Sequence, residues 1–589
     1  MATSLPLASD PMSTTSTDVP THESPPALSL DTAEDRARLA ARALADALLL
    51  GIVGDAILRV SSWGTNMTIW SVAIVAAMVT LARRRYEALP ADARWLLVPA
   101  LALSLLFMWR DSSSLIAYDT LAFFGTLALL AAAIAWGPQQ RVLESRFREL
   151  AYAGVVLGVN VFVGMVALLL ADVSFRQVAG ARGASRVIAG VRAALVAIPL
   201  LLVFGSLFAS ADPVFARLAS DVFRIDAATV ASHLAVSGFI AWFVGGLLRA
   251  TVLSNGRGTW RVPFPDGALG LTEVSVALGS LVALFAAFVI VQLRYFFGGD
   301  ALVQASAGMS YADYARRGFF ELVTVSALVL PVVLAGNALL RRDTPRADAV
   351  YRALSGTLLA LLAVIMYSAV ARMRLYESAY GLSEDRLFAM VFMGWLAVVF
   401  AWFAATVLRG RERMFTVGVL ASGWATLIAL NVADPSGYVA RFNIARADQG
   451  KEVDVRYIAR LGADAAPALV EYLRRERVTA PAGWVIPSTD STNRPVTTPA
   501  SPVLSPLDGA RETADYGERC EAARRLLHDW GPNIQMDWRS WTVSRGGARR
   551  AVVSNEALLR RLAGPELIGG RWAGCATQPG DGKRETGDG

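Results

Sequence analysis

Residues 291–322 read VQLRYFFGGDALVQASAGMSYADYARRGFFEL. The stretch leaves one strongly apolar run, makes a polar excursion dense in Tyr and Arg, and passes straight into the next apolar run. Two runs joined in this way read as helices turning at a membrane surface, because about 20 apolar residues cross a hydrocarbon core of roughly 30 Å as a helix. A closed β-barrel would also satisfy its backbone in lipid, but it shows short alternating segments, and the runs here are continuous. The reading is an all-α, polytopic transmembrane helix bundle.

The rest of the chain follows the same pattern. Its 589 residues are 54% hydrophobic and 18% charged, with a mean hydropathy of +0.44, too apolar for a soluble protein of this length. Apolar runs fall near 43–60, 66–82, 95–110, 114–136, 152–172, 186–211, 228–250, 271–293, 319–340, 354–373, 386–408 and 415–432. That predicts about twelve spans, within a range of 11–13. The first is the weakest, since Asp46 and Asp55 would each cost roughly 2.5–3.5 kcal/mol at a helix centre.

Flanking the transmembrane domain at 43–432, residues 1–42 are rich in Ser, Thr, Pro and acids and read as a disordered lead without the pattern of a secretory signal. Pro435 ends the last span, and helical spacing resumes over 433–479 as short amphipathic juxtamembrane helices around a break at Gly462. Residues 480–508 form a Pro/Ser/Thr-rich linker. A small soluble C-terminal segment, 509–575, is expected to hold a helix at about 512–530 and a hairpin-like piece at about 541–553, with 576–589 disordered.

The net charge of +7 is almost wholly Arg, Lys occurring only at Lys451 and Lys583. These arginines sit between apolar runs and form no single patch with interleaved aromatics, so no nucleic-acid partner is expected. They should set orientation instead. Arg83 to Arg85, Arg141, Arg146 and Arg148 place the N-terminus inside. Under strict alternation of twelve spans, however, Arg249, Arg257 and Arg261, then Arg341, Arg342, Arg346 and Arg352, then Arg409, Arg411 and Arg413 fall outside. One crossing between about 90 and 230 is then miscounted, or one run is re-entrant. Trusting the last third puts the C-terminal tail outside the cytoplasm. A Cys520–Cys575 bridge would suit that side, and two free thiols stay open as the other reading.

Four blocks carry a resemblance: LRYFFGG at 293–299, SYADYARRGFFEL at 310–322, RLYESAYGLSEDRLFA at 374–389, and NVADPSGYVARFNIARA followed by DVRYIARLGADAAPALVEYL within 431–473. Together they resemble an uncharacterised bacterial polytopic membrane family of the domain-of-unknown-function class, number four-one-seven-three, with the related four-one-five-three group as the alternative. The resemblance covers roughly residues 45–475. It implies a polytopic fold in a bacterial inner membrane and brings no catalytic residue.

Read physically, Ser310 is placed to cap a short interfacial helix with Asp313 three residues on, and Asp313–Arg317 and Arg317–Glu321 are i,i+4 pairs. Gly381 reads as a C-cap and Ser383 as an N-cap, with Glu384 and Asp385 in the following first turn. Two spans separate the loops 294–318 and 373–386, which puts them on one side of the bilayer. Both therefore supply a candidate anion or headgroup site: Arg294, Tyr295, Tyr311, Arg316, Arg317, Arg374, Tyr376 and Glu377. An anchored helix hairpin without a ligand is the competing reading. Polar groups inside the spans are sparse: Asp46, Asp55, Asp119, Asn160, His233, Gln292, Asn337 and Asn431.

No HExxH, Walker loop, GxSxG or paired CxxC is present, and three His in all leave no ordinary zinc site. No catalytic residue, metal or cofactor is expected. The preferred function is a non-enzymatic integral membrane protein, transporter-like or a scaffold or sensor coupling the bilayer to its soluble tail, with membrane lipids as partners. The alternative is a membrane-embedded transferase acting on a lipid-linked or phosphate-bearing small-molecule substrate.

Overall fold

The computed structural model describes residues 33–59, 62–138, 141–173, 227–253, 267–307, 319–475 and 506–564, with shorter pieces within 193–215, 488–496 and 566–575. The bundle is built from α1 (Ala33–Leu58), α2 (Thr65–Arg85), α3 (Ala91–Leu106), α4 (Ser113–Trp136), α5 (Phe147–Ala167), α6 (Ala227–Val252), α7 (Leu271–Ala307), α8 (Phe319–Leu339), α9 (Pro345–Tyr380), α10 (Glu384–Thr406) and α11 (Glu412–Ala433). One π-helical turn, Leu168–Asp172, extends α5. Among the described residues nine helices are long and apolar enough to cross a membrane. The predicted run at 186–211 falls largely outside the described residues. That at 95–110 is the 16-residue α3, and that at 43–60 begins ten residues earlier, as α1. The protein is a multi-pass, all-α membrane bundle.

Two apolar cores organise it. Helices α1 to α6 share the first, around Ile74, Met78, Leu103, Phe123 and Val244. Helices α7 to α11 share the second, around Val333, Leu358, Val399, Phe403 and Phe415. Helix α11 joins them, since Phe415 belongs to the second core while Trp424 and Leu427 pack on the first.

Hydrogen bonds fix which helix ends lie together. At one end Arg85 donates to Val252 O (2.8 Å), Tyr86 to Ile134 O (3.0 Å) and the Leu143 amide to Asp92 (3.0 Å). There too Thr416 donates to Ser145 O (3.1 Å), and Arg146 and Arg342 both reach Glu412 (3.4 and 3.6 Å). This end gathers Arg83 to Arg85, Arg146, Arg249, Arg341, Arg342, Arg409, Arg411 and Arg413. At the opposite end Arg59 donates to Ser232 (3.0 Å), Arg110 to Asn431 O (2.7 Å), and the Thr65 amide to Trp541 O (3.0 Å).

Helix α5 departs from simple alternation. With its π turn it runs 26 residues, roughly 39 Å, enough to cross. Yet Arg146, at its start, and Asp172, at its end, are both tied to the arginine-rich end: Asp172 pairs with Arg36 (3.0 Å) near the start of α1 and with Arg249 (2.6 Å) in the last turn of α6. Between them α5 meets α6 within residues 242–249. Trp242 donates to Phe162 O (2.8 Å), and Gly164 stacks on Gly246 where a Cβ on Gly246 would stand 2.0 Å from Val161 O. Such contact between backbones needs residues without a side chain. The apolar run predicted as a span at 152–172 therefore lies obliquely in one half of the bundle.

The C-terminal region folds as one unit. Helix α11 ends at Asp434 in the left-handed region (φ 57°), which Asp tolerates, and α12 (Pro435–Ala447) starts at once with Pro435, whose fixed φ suits a first helical turn. Helices α13 (Val455–Arg460) and α14 (Ala466–Arg475) follow, then α15 (Pro506–Trp530), α16 (Val543–Ser554) and α17 (Glu556–Ala563). The segment expected to be hairpin-like at 541–553 is helix α16, capped by Thr542, whose side chain accepts from the Arg545 amide. Leu469, Leu473, Ala523, Val552 and Leu559 are fully buried in a core that α12 to α14 share with α15 to α17. The only strands among the described residues are two-residue pairs, Ser488–Thr489 with Pro495–Val496 and Glu566–Leu567 with Arg571–Trp572. Cys520 and Cys575 are disulfide-bonded.

Candidate functional site

A cluster of buried polar and charged groups lies at the junction between the bundle and the C-terminal unit. Arg110, in the connection between α3 and α4, lies with only 18% of its side chain exposed. Its Nε donates to Asn431 O (2.7 Å) and its Nη2 to Val432 O (3.3 Å), carbonyls in the last turn of α11 that have no intrahelical partner. A cation there also meets the negative end of the helix dipole. Its Nη1 donates to Asp464 Oδ1 (3.1 Å) and pairs with Asp434 (3.5 Å).

Asp464, just before α14, collects three partners, two from the connection between α3 and α4 and one from α16. It accepts from Arg110, from the Asp111 amide (3.0 Å) and from the hydroxyl of Ser544 in α16. Beside it Arg545 pairs with Asp111 (2.6 Å) and donates to Ser62 (2.8 Å) in the connection from α1 to α2. Burial pushes the carboxyl of Asp111 above its ordinary range, with Arg545 pulling it down and the charge of Asp464 pushing it further up. Asp434 is raised in the same way, by burial and then by Asp464. Burial also raises Tyr457, whose hydroxyl accepts from the Glu384 amide (3.0 Å) at the start of α10. The Glu384 carboxylate in turn accepts from Ser436 and from Ser112 (3.4 Å). Ser383 holds the N-cap position without a side-chain cap bond, so Tyr457 and not Ser383 satisfies that first-turn donor.

The expected anion site is distributed differently. Arg294 and Tyr295 lie where α7 continues to Ala307 in place of the expected loop, and their side chains fall outside the described residues. Ser310, Tyr311, Asp313, Arg316 and Arg317 fall outside them altogether. Arg374, Tyr376 and Glu377 occupy the last turns of α9, which reaches Tyr380, and so are helical and not in a loop. Arg374 is exposed. Tyr376 stacks on Tyr380 (4.8 Å) and lies under the guanidinium of Arg386 (4.4 Å).

Six of the eight sparse polar groups inside the helices pair across them, while Asn160 donates to Val156 O of its own helix (2.8 Å). His233 Nδ1 lies 2.5 Å from Asp55 Oδ2, Asn431 donates to Asp119 (3.1 Å), Ser368 donates to Gln292 (2.5 Å), and Asn337 donates to Glu412 (2.7 Å). Among the described residues no group of three His, Cys, Asp or Glu could hold a metal ion.

A family model described as Domain of unknown function (DUF4153) matches residues 97–472. The chain belongs to that family. It is the four-one-five-three group, the relative in the pair of families that the sequence blocks resemble. No curated protein and no solved structure matches the chain. The DUF4153 match contains Arg110, Asp111, Glu384, Asp434, Tyr457 and Asp464, while Ser544 and Arg545 lie beyond it. DUF4153 residues thus supply the bundle side of the junction and part of the side formed by the C-terminal unit, to which a C-terminal extension adds Ser544 and Arg545. Sequence reasoning passed over it because Arg110 and Asp464 stand 354 residues apart and each looks like an ordinary loop charge.

Proposed function

We propose that this DUF4153 protein is a non-enzymatic scaffold of a bacterial inner membrane, which holds its C-terminal unit rigidly against the bundle on the extracytoplasmic side. The observation that carries this reading is the Arg110–Asp464 junction: charged groups locked into buried hydrogen bonds make a fixed mount and not a tether. Arginine gathers at the other end of the bundle, and the excess of basic residues in short loops marks the cytoplasmic side. On that assignment the N-terminus is cytoplasmic. The Cys520–Cys575 bridge suits an oxidising compartment at the C-terminal end.

A reporter active only in an oxidising compartment, fused after Gly589 of the full chain, tests the orientation. Activity there is expected, and activity instead of a cytoplasm-only reporter at the same position overturns it. Rigid mounting is tested by spin labels on the exposed Val432 and Val553, which should give one narrow distance distribution. A broad one would refute the scaffold.

A further inference from the structure

At the arginine-rich end, between α5 and α8, lies a cavity of about 810 Å³. That is within the usual size of a small-molecule site. Its walls are apolar: Tyr152 and Val155 from α5, Pro331, Leu334 and Ala335 from α8, and Phe415 from α11. Its rim is polar: Arg146, Asn337, Arg341, Arg342 and Glu412. A second cavity of about 520 Å³ shares Arg146, Asn337, Arg342 and Glu412, and adds Asp348, Arg352, Arg411 and Arg413. The two hollows thus meet at a partition where Glu412 accepts from Asn337 (2.7 Å) and faces Arg342 (3.6 Å) and Arg146 (3.4 Å).

The dimensions match one leaflet. From Pro331 to Leu339 the wall of α8 rises roughly 12 Å, close to half of a hydrocarbon core of about 30 Å. Above it the polar hollow carries five arginines against two carboxylates, and Arg341 stands at the lip with its side chain 54% exposed. An apolar chamber open toward lipid, ending at headgroup height under an excess of guanidinium groups, has the chemistry of an acyl chain joined to a phosphate. Guanidinium binds phosphate oxygens in pairs. A zwitterionic headgroup would bring its own cation into this field and lose that advantage.

We infer that this pair of cavities binds one anionic phospholipid, one of its two acyl chains between α5 and α8 and its phosphate among Arg146, Arg341, Arg342 and Arg411. Helix α5 makes the site, because only a helix lying obliquely in this half of the bundle leaves such a chamber beside α8. The occupant is a lipid and not a soluble phosphate, since most of the enclosed volume is apolar.

The full chain, purified in detergent and stripped of lipid, is titrated with phosphatidylglycerol, phosphatidylcholine or glycerol 3-phosphate while its thermal unfolding and native mass are followed. Phosphatidylglycerol is expected to raise the melting temperature and to remain bound at one per chain. Arg341→Gln should weaken it roughly tenfold or more, the loss of one charge-assisted hydrogen bond. Ala335→Phe, which fills the exposed apolar wall, should abolish it. Val155→Trp, from the opposite wall, does the same job if the first variant fails to fold. Equal stabilisation by phosphatidylcholine overturns the anionic assignment, and equal stabilisation by glycerol 3-phosphate overturns the lipid. Unchanged phosphatidylglycerol binding in Arg341→Gln, or in a folded wall variant, overturns the site.

Discussion

Replacing Arg110 by Gln should undo the mount of the C-terminal unit, and the geometry sets the size of the effect. Arg110 supplies two charged donors to carbonyls of α11, at 2.7 and 3.3 Å, and two ion pairs, at 3.1 and 3.5 Å. A hydrogen bond to a charged group contributes about 1.5–3 kcal/mol net, and removing one partner of a buried pair costs about 3–5 kcal/mol because the other charge is stranded. Asp464, 7% exposed, is the stranded group, left with Ser544 and one amide. The loss should be about 3–5 kcal/mol, against a total stability of about 5–15 kcal/mol for a typical domain. Native-state proteolysis of the detergent-solubilised protein, read at the release of residues 435–564, measures it. Asp464→Asn and the double variant complete a cycle. Residues in direct contact should show a coupling of at least about 1.5 kcal/mol, whereas additivity within about 0.5 kcal/mol would refute the junction as described.

The Cys520–Cys575 bridge closes 55 residues, so Cys520→Ala with Cys575→Ala should lower the stability of the C-terminal unit by roughly 4 kcal/mol on the loop-entropy argument, as urea unfolding would measure. Folded-state values of Asp111 and Asp434 are raised by burial, so between 3.8 and those raised values the native junction binds protons more tightly than the unfolded chain does. Their contribution is full below the ordinary carboxylate value of 3.8 and is lost as pH rises through the raised values. Melting temperatures should accordingly fall as pH rises from 3.8 through the raised values, and Asp111→Asn should flatten that slope. Gly246→Ala would drive a Cβ into Val161 O and should cost about 1–3 kcal/mol in detergent melts, whereas Gly238→Ala, with nothing within 4 Å, should be neutral.

The class of the protein is legible in its hydropathy because lipid demands long apolar runs, and nine of the helices carry that mark plainly. The local grammar of the α11–α12 corner is legible too: Asp434 and Pro435 leave a helix only one way to stop and one way to restart. Partners at long range are not. His233 and Asp55 are 178 residues apart, and neither position carries a period or a motif that points to the other. Residues 541–553 mislead for a different reason. Trp541, Thr542 and Val543 favour strand, but Thr542 caps a helix whose buried face, with Ala548 and Val552, is supplied by α14 and α15. Tertiary packing overrides the local preference there.

The course of α5 shows most clearly how a single contact decides what composition cannot. By length and apolarity α5 is a span, and counting it as one puts the arginines after residue 249 on the face opposite Arg83 to Arg85. What removes the conflict is Asp172. A carboxylate at the end of an apolar helix must find a cation, and it finds two, Arg36 from α1 and Arg249 from α6, which already lie at the same end as Arg146. Holding Asp172 there keeps α5 in one half of the bundle, so α6 starts at the far end, beside Arg59, and returns to the arginine-rich one. Every later helix then falls into place with Arg341, Arg342, Arg409, Arg411 and Arg413 beside Arg83 to Arg85. The same oblique course that makes the charges agree also opens the chamber against α8, so the topology of the chain and its candidate lipid site have one physical cause.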